Sequence, residues 1–132
     1  MYRVLKLFII FLLLFSCSKK EEVVVIESDK AKSFEIYRTA IVAMNEGDMF
    51  FASKKFSEAE LLFDKINYSA KAAILSSYCL YRINFYEQSE KSVERFLKRY
   101  PLDKHMEYAR YLSAVISYEQ ILDEKKDISP LL

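Results

Sequence analysis

Apolar residues follow two rhythms along this 132-residue chain. From Leu7 to Phe15 they form an unbroken run, preceded by Arg3 and Lys6. Nine residues are too few to cross a bilayer, which takes roughly 20. A basic start followed by a short apolar stretch is the layout of a secretory signal. From Ser33 onward the rhythm changes to steps of three and four, the period of a helix with one buried face. Tyr37, Ala40, Ile41, Met44, Gly47 and Phe51 share a first face of this kind. Lys54-Lys55-Phe56 then reads as a connector. Ser57-Glu58-Ala59-Glu60 has the arrangement of a capping box opening a second helix, whose apolar side carries Ala59, Leu62, Phe63 and Ile66. Asn67-Tyr68-Ser69 breaks the pattern. A third helix is predicted from about Ala70 to Ile83 and a fourth from Gln88 to Tyr100, stopped by Pro101 because proline disfavours helical geometry in the residue before it. Asp103 can cap a fifth, from about Lys104 to Glu124.

This sequence of helix, short loop, helix recurs with a period of about 30 to 34 residues, the length of a tetratricopeptide unit. Gly47, Phe56, Ala59 and Phe63 fall at the small, aromatic, alanine and aromatic positions of a first unit. Ser77, Tyr86, Ser89 and Pro101 fall at the small, aromatic, small and terminal-proline positions of a second. Phe56 and Tyr86 stand 30 residues apart, so a shortened loop between units is expected. The fold class expected is all-α: tetratricopeptide-like antiparallel helix hairpins in a short solenoid of about two and a half repeats, with a generic helical bundle as the alternative. The fifth helix carries Tyr108, Tyr111, Leu112, Val115, Tyr118 and Leu122 with no helix after it to cover them. Solenoids need about three repeats and a polar cap, so the chain is expected to be the N-terminal portion of a longer protein.

Between the two rhythms, residues 17–32 read as a tether, leaving 1–16 as signal peptide and 33–132 as the repeat domain. Val23-Val24-Val25-Ile26 within the tether either lies extended against the domain or belongs to a mobile linker. Leu14-Phe15-Ser16-Cys17 resembles a bacterial lipobox: aliphatic at −3, small at −1, cysteine at +1. That resemblance implies cleavage before Cys17 and a covalent lipid on it, and Ser18 after the cysteine implies sorting to the outer membrane. An ordinary cysteine near a cleaved signal is the alternative.

Composition narrows the function. One glycine and two prolines are too few for the turns of a β-rich fold. Removing Arg3 and Lys6 from the formal charge of +1 leaves −1, which argues against nucleic acid as a partner. Cys17 and Cys79 are the only cysteines, so no disulfide framework is expected. His105 is the single histidine and has no second ligand at a metal-binding spacing. No glycine-rich phosphate loop occurs, and the carboxylate pairs Glu58/Glu60 and Asp123/Glu124 are explained by caps and solvated faces. No enzyme, metal or cofactor is expected beyond the lipid on Cys17.

In the repeat register, the first helix of each hairpin lines a groove. That places Met44, Asp48 and Phe51 on it from the first unit, and Lys71, Ile74, Tyr78, Tyr81 and Arg82 from the second. Tyrosines beside Lys and Arg suit an extended, aromatic-rich peptide with a negative end, although Tyr78 and Tyr81 could equally be inter-helix core.

Three stretches carry a more particular resemblance: Glu35-Ile36-Tyr37-Arg38-Thr39-Ala40, Arg95-Phe96-Leu97-Lys98-Arg99-Tyr100-Pro101, and Glu107-Tyr108-Ala109-Arg110-Tyr111-Leu112. In this order and spacing they resemble the BamD family, tetratricopeptide lipoproteins of the β-barrel assembly machinery. The resemblance implies a lipid-anchored scaffold at the periplasmic face of the outer membrane. Its implied partners are the barrel-forming subunit, accessory lipoproteins and unfolded β-barrel precursors. A tetratricopeptide lipoprotein of another cell-envelope or pilus assembly system is the alternative.

Overall fold

The computed structural model describes residues 21–126, and their side chains over 30–121. The expected signal peptide, Cys17 and the tail from Asp127 lie outside the described residues. Among the described residues five helices follow one another: α1 (Glu21–Glu46), α2 (Met49–Leu62), α3 (Ile66–Arg82), α4 (Tyr86–Arg99) and α5 (Met106–Lys126). No strand occurs among the described residues. Each helix packs chiefly on its neighbours in sequence, with a smaller contact between α3 and α5. This is the all-α, tetratricopeptide-like hairpin solenoid that the periodicity predicts. Among the described residues no helix is long and apolar enough to cross a membrane.

The first turn is not where the sequence pointed. The chain reverses at Gly47, whose φ of +89° lies in the left-handed region that glycine adopts without steric cost. Asp48 then caps α2, its carboxylate accepting from the Phe51 amide at 3.0 Å. Lys54-Lys55-Phe56, expected as a connector, is the middle of α2. Gly47 is therefore a hinge of the hairpin and not a small residue in a helix contact. A Cβ placed there would meet nothing within 4 Å, so any substitution is opposed by backbone strain and not by crowding.

Moving the turn corrects the repeat register. Ala40 and Ser77, Ala52 and Ser89, Phe56 and Val93, and Ala59 and Phe96 are all buried, and the members of each pair stand 37 residues apart. The repeat is thus longer than the expected 30 to 34, and Phe56 corresponds to Val93 and not to Tyr86. The second turn also shifts. Phe63-Asp64-Lys65 separates α2 from α3, while Asn67-Tyr68-Ser69 forms the first turns of α3. The stretch expected as a tether is helical from Glu21, so Val23 to Ile26 belongs to α1 and is not extended.

Small residues bring α3 close to both neighbours, and their hydroxyls are answered across the seams. Ser76 Oγ donates to the Ser53 carbonyl at 2.9 Å and meets Ser57 Oγ at 2.9 Å. Ser89 Oγ donates to the Ser77 carbonyl at 2.8 Å, and Ser77 Oγ donates to Ser92 Oγ at 2.8 Å. Buried polar groups bonded in this way avoid the cost of desolvation without a partner. Ser57 and Glu60 are accordingly interior residues of α2, not a capping box.

Glu60 is a buried carboxylate facing α4. It accepts from Arg95 at 3.0 Å and from the Tyr100 hydroxyl at 2.9 Å, and Arg99 stands 3.6 Å away. The two hairpins are joined through this cluster. Around it lies the larger apolar core of Ala70, Ala73, Ile74, Val93, Phe96, Leu112 and Ile116. A second core of Ala40, Ala43, Ala52, Phe56 and Cys79 fills the space between α1, α2 and α3.

Candidate peptide-binding face

The eight residues expected to line a groove do not form one surface. Met44 is half-buried against the Ala40–Phe56–Cys79 core. Asp48 is occupied as the α2 cap. Phe51 belongs to α2 and not to the first helix, and its ring is covered by the Lys55 ammonium 5.7 Å from the centroid. Lys71 is exposed and lies 5.9 Å from the Tyr37 ring. Ile74 is 3% exposed and packs in the main core, which leaves it no surface to offer a ligand.

Tyr78, Tyr81 and Arg82 do come together, at the C-terminal end of α3. The Arg82 guanidinium donates to the Tyr78 hydroxyl at 2.8 Å, one helical turn away. Tyr81 lies 6.1 Å from the Tyr86 ring, and the Tyr86 hydroxyl donates to Asn84 at 2.9 Å. Asn84, at φ +62°, turns the chain from α3 into α4. Tyr78 and Tyr81 are half-buried: their rings pack on the main core. They thus contribute to the inter-helix core, the alternative expected for them, while staying partly exposed.

Two further tyrosines complete the face from α5. Tyr108 and Tyr111 stand 6.4 Å apart and are exposed. Burial raises the Tyr108 hydroxyl above its usual range, and the nearness of Tyr78, Tyr111 and Tyr81 adds to the effect. These two residues were legible only as an apolar stripe. The signal pointing to a surface was their being tyrosine, which carries a hydroxyl toward water, at positions where a sealed core would take Leu.

The electrostatics of the face are set by Arg82. Among the described residues no carboxylate pairs with it, and the groups acting on it are Tyr78, Tyr81 and Cys79. Cys79 lies beneath, its thiol pushed up to about 11 by burial and so protonated at neutral pH. His105 is engaged by Asp103, with Nδ1 at 2.7 Å from the carboxylate. Among the described residues no cluster of His, Cys, Asp or Glu could hold a metal.

Paired helices in a short solenoid, with tyrosines of α3 and α5 near one another and Arg82 beside those of α3, define a helical-repeat protein. The sequence profile of the YfiO family, described as outer membrane lipoprotein, matches residues 29–131, and the chain belongs to that family. It is also similar to the outer membrane protein assembly factor BamD of Caulobacter vibrioides, at 28% identity over 92 residues. That match covers 70% of this chain and 30% of the relative, so the chain spans under a third of that protein's length. No solved structure matches the chain significantly.

Proposed function

We propose that this chain is a non-catalytic lipoprotein scaffold, anchored by a lipid on Cys17 at the periplasmic face of the outer membrane. There it engages unfolded β-barrel precursors and hands them to an assembly complex containing a barrel-forming subunit and accessory lipoproteins. The relative's name, an assembly factor for outer membrane proteins, supports this reading. The observation that carries it is Arg82: a guanidinium beside Tyr78 and Tyr81, with no carboxylate paired to it among the described residues. Aromatic rings bury apolar and aromatic side chains of an extended peptide, and the free cation takes its carboxylate.

The test is binding of a synthetic peptide with an aromatic C-terminal residue, as the free acid and as the amide. The free acid is expected to bind more tightly, and Tyr81→Ala with Arg82→Ala to abolish the difference. Equal affinity of both peptides for the unmodified protein would refute the reading. Cys17→Ala is expected to leave the precursor unprocessed and without lipid, which mass spectrometry of the membrane fraction reads directly. Co-purification of the barrel-forming subunit, against pilus or peptidoglycan components, separates this reading from a scaffold of another envelope system.

A further inference from the structure

The solenoid has two ends, and one of them carries features the peptide face does not use. Successive helices run in opposite directions, so the Gly47-Asp48 turn and the turn at Asn84 share one end, where the Phe50 and Phe85 rings meet at 6.0 Å. The turn after α2 and the loop between α4 and α5 share the other. There Ile66, Arg99, Pro101, Leu102 and Lys104 border a shallow cleft of about 590 Å³. Leu102 is 98% exposed and Ile66 71%, the two most exposed large apolar residues among those described. Lys65, Lys98, Arg99 and Lys104 are exposed around them. Asp103 is turned to His105, which leaves Asp64 as the exposed acid between the two turns.

The same end is the one toward which the N-terminal part of α1 runs. Phe34 packs edge-on against Phe63 and Tyr68, with centroids at 5.1 and 5.2 Å. Ahead of Phe34, α1 continues back to Glu21, projecting about 20 Å beyond this contact. Cys17 is four residues further toward the N-terminus in sequence.

We propose that this end docks on a bilayer leaflet: Leu102 and Ile66 enter the lipid interface, and Lys65, Arg99 and Lys104 meet the phosphates of anionic phospholipid. Orientation toward the membrane rests on the reading of Cys17 as the anchor; the surface chemistry does not. Leu102 at a loop tip is a protruding finger, not the floor of a peptide groove. Insertion into an apolar phase is what would remove it from water. Basic side chains beside it gain from the negative surface potential of such a leaflet.

The chain contains no tryptophan, so a single introduced one is an unambiguous reporter. Leu102→Trp in the mature, lipidated protein is reconstituted with vesicles containing anionic phospholipid, half of the samples with brominated acyl chains. Flotation of the vesicles reads the anchor; quenching reads the docking end. Leu102→Trp should be quenched, and Phe50→Trp at the opposite end should not. The unacylated chain, titrated with the same vesicles to saturating lipid, should show the same contrast. Lys65→Gln with Lys104→Gln should weaken that partition roughly 30-fold. No quenching of Leu102→Trp in either form overturns the proposal even when flotation is normal, and so does equal quenching of both reporters. A spectral shift of Leu102→Trp produced by an acidic peptide and not by vesicles would also overturn it, in favour of a protein partner.

Discussion

Among the described residues arginine and tyrosine meet around Glu60, and again at Arg82 with no carboxylate paired to them. Between α2 and α4, Arg95 and Tyr100 donate to a buried acid, and Arg99 stands 3.6 Å from it with its side chain still half exposed. Between α3 and α5, Arg82, Tyr78, Tyr81 and Tyr108 present similar groups with the acid missing. The same side chains form a joint in the first place and a partly exposed surface in the second, the one proposed above to take a peptide. What separates them is whether the chain supplies the negative charge.

The largest effect expected follows from stripping the joint. Arg95→Ala with Arg99→Ala leaves the Glu60 carboxylate buried with only the Tyr100 hydroxyl. Because uncompensated buried charge is costly, urea melts should show a loss of about 3 kcal/mol. The comparison breaks if the loss is no larger than that of Arg82→Ala, which should leave the melt nearly unchanged as at other exposed positions.

Alkaline pH is a gentler way to open the same joint. Burial, and then the hydrogen bond to Glu60, push the Tyr100 hydroxyl up to about 12. The unfolded tyrosine loses its proton near 10, so the folded state holds a proton that the unfolded state has released. The contribution is intact below pH 10 and is lost as pH rises toward 12, by about 2–3 kcal/mol. Cys79, at about 11, adds a loss of the same sign from about pH 9. Thermal melts across this range should show the decline, and Tyr100→Phe should remove the part that begins at pH 10.

Supplying the missing acid sharpens the contrast from the other side. Tyr78→Glu places a carboxylate one turn before Arg82, where an opposite charge pairs within the helix. Affinity for a carboxylate-terminated peptide should fall about tenfold, or about 1.4 kcal/mol, by fluorescence titration, while the amide of that peptide loses much less. The smallest effect is expected at Tyr37, whose buried hydroxyl has no hydrogen-bond partner among the described residues. Tyr37→Phe should change stability by less than about 0.5 kcal/mol or raise it slightly, since it removes an unanswered polar atom. Tyr100→Phe, which leaves Glu60 short of a donor, should cost more than Tyr37→Phe in the same melts.

The helices themselves were legible because their apolar spacing is local, but two of their boundaries were not. Gly47 falls in step with Ala40 and Met44, so spacing alone admits it to a helix; only its positive φ shows it to be the turn. Ser57 and Glu60 satisfy a capping pattern by residue type, yet both point across a helix interface toward partners 19 and 35 residues away. Asn67, Tyr68 and Ser69 look like a break because polar residues commonly open a helix as well as end one. Of the eight residues expected on one groove, Tyr78, Tyr81 and Arg82 lie together because their spacing puts them at one end of a single helix. Tyr108 and Tyr111 were missed as partners because their approach to α3 is made by the folded solenoid and leaves no trace in local sequence.

Taken alone, the amino-acid order determined the all-α class, the hairpin succession and the family resemblance, since periodic burial and short motifs are properties of neighbouring residues. It did not determine the 37-residue register, the joint at Glu60 or the composition of the tyrosine face. Those depend on which helix faces meet, and a contact between residues tens of positions apart is fixed by packing in three dimensions.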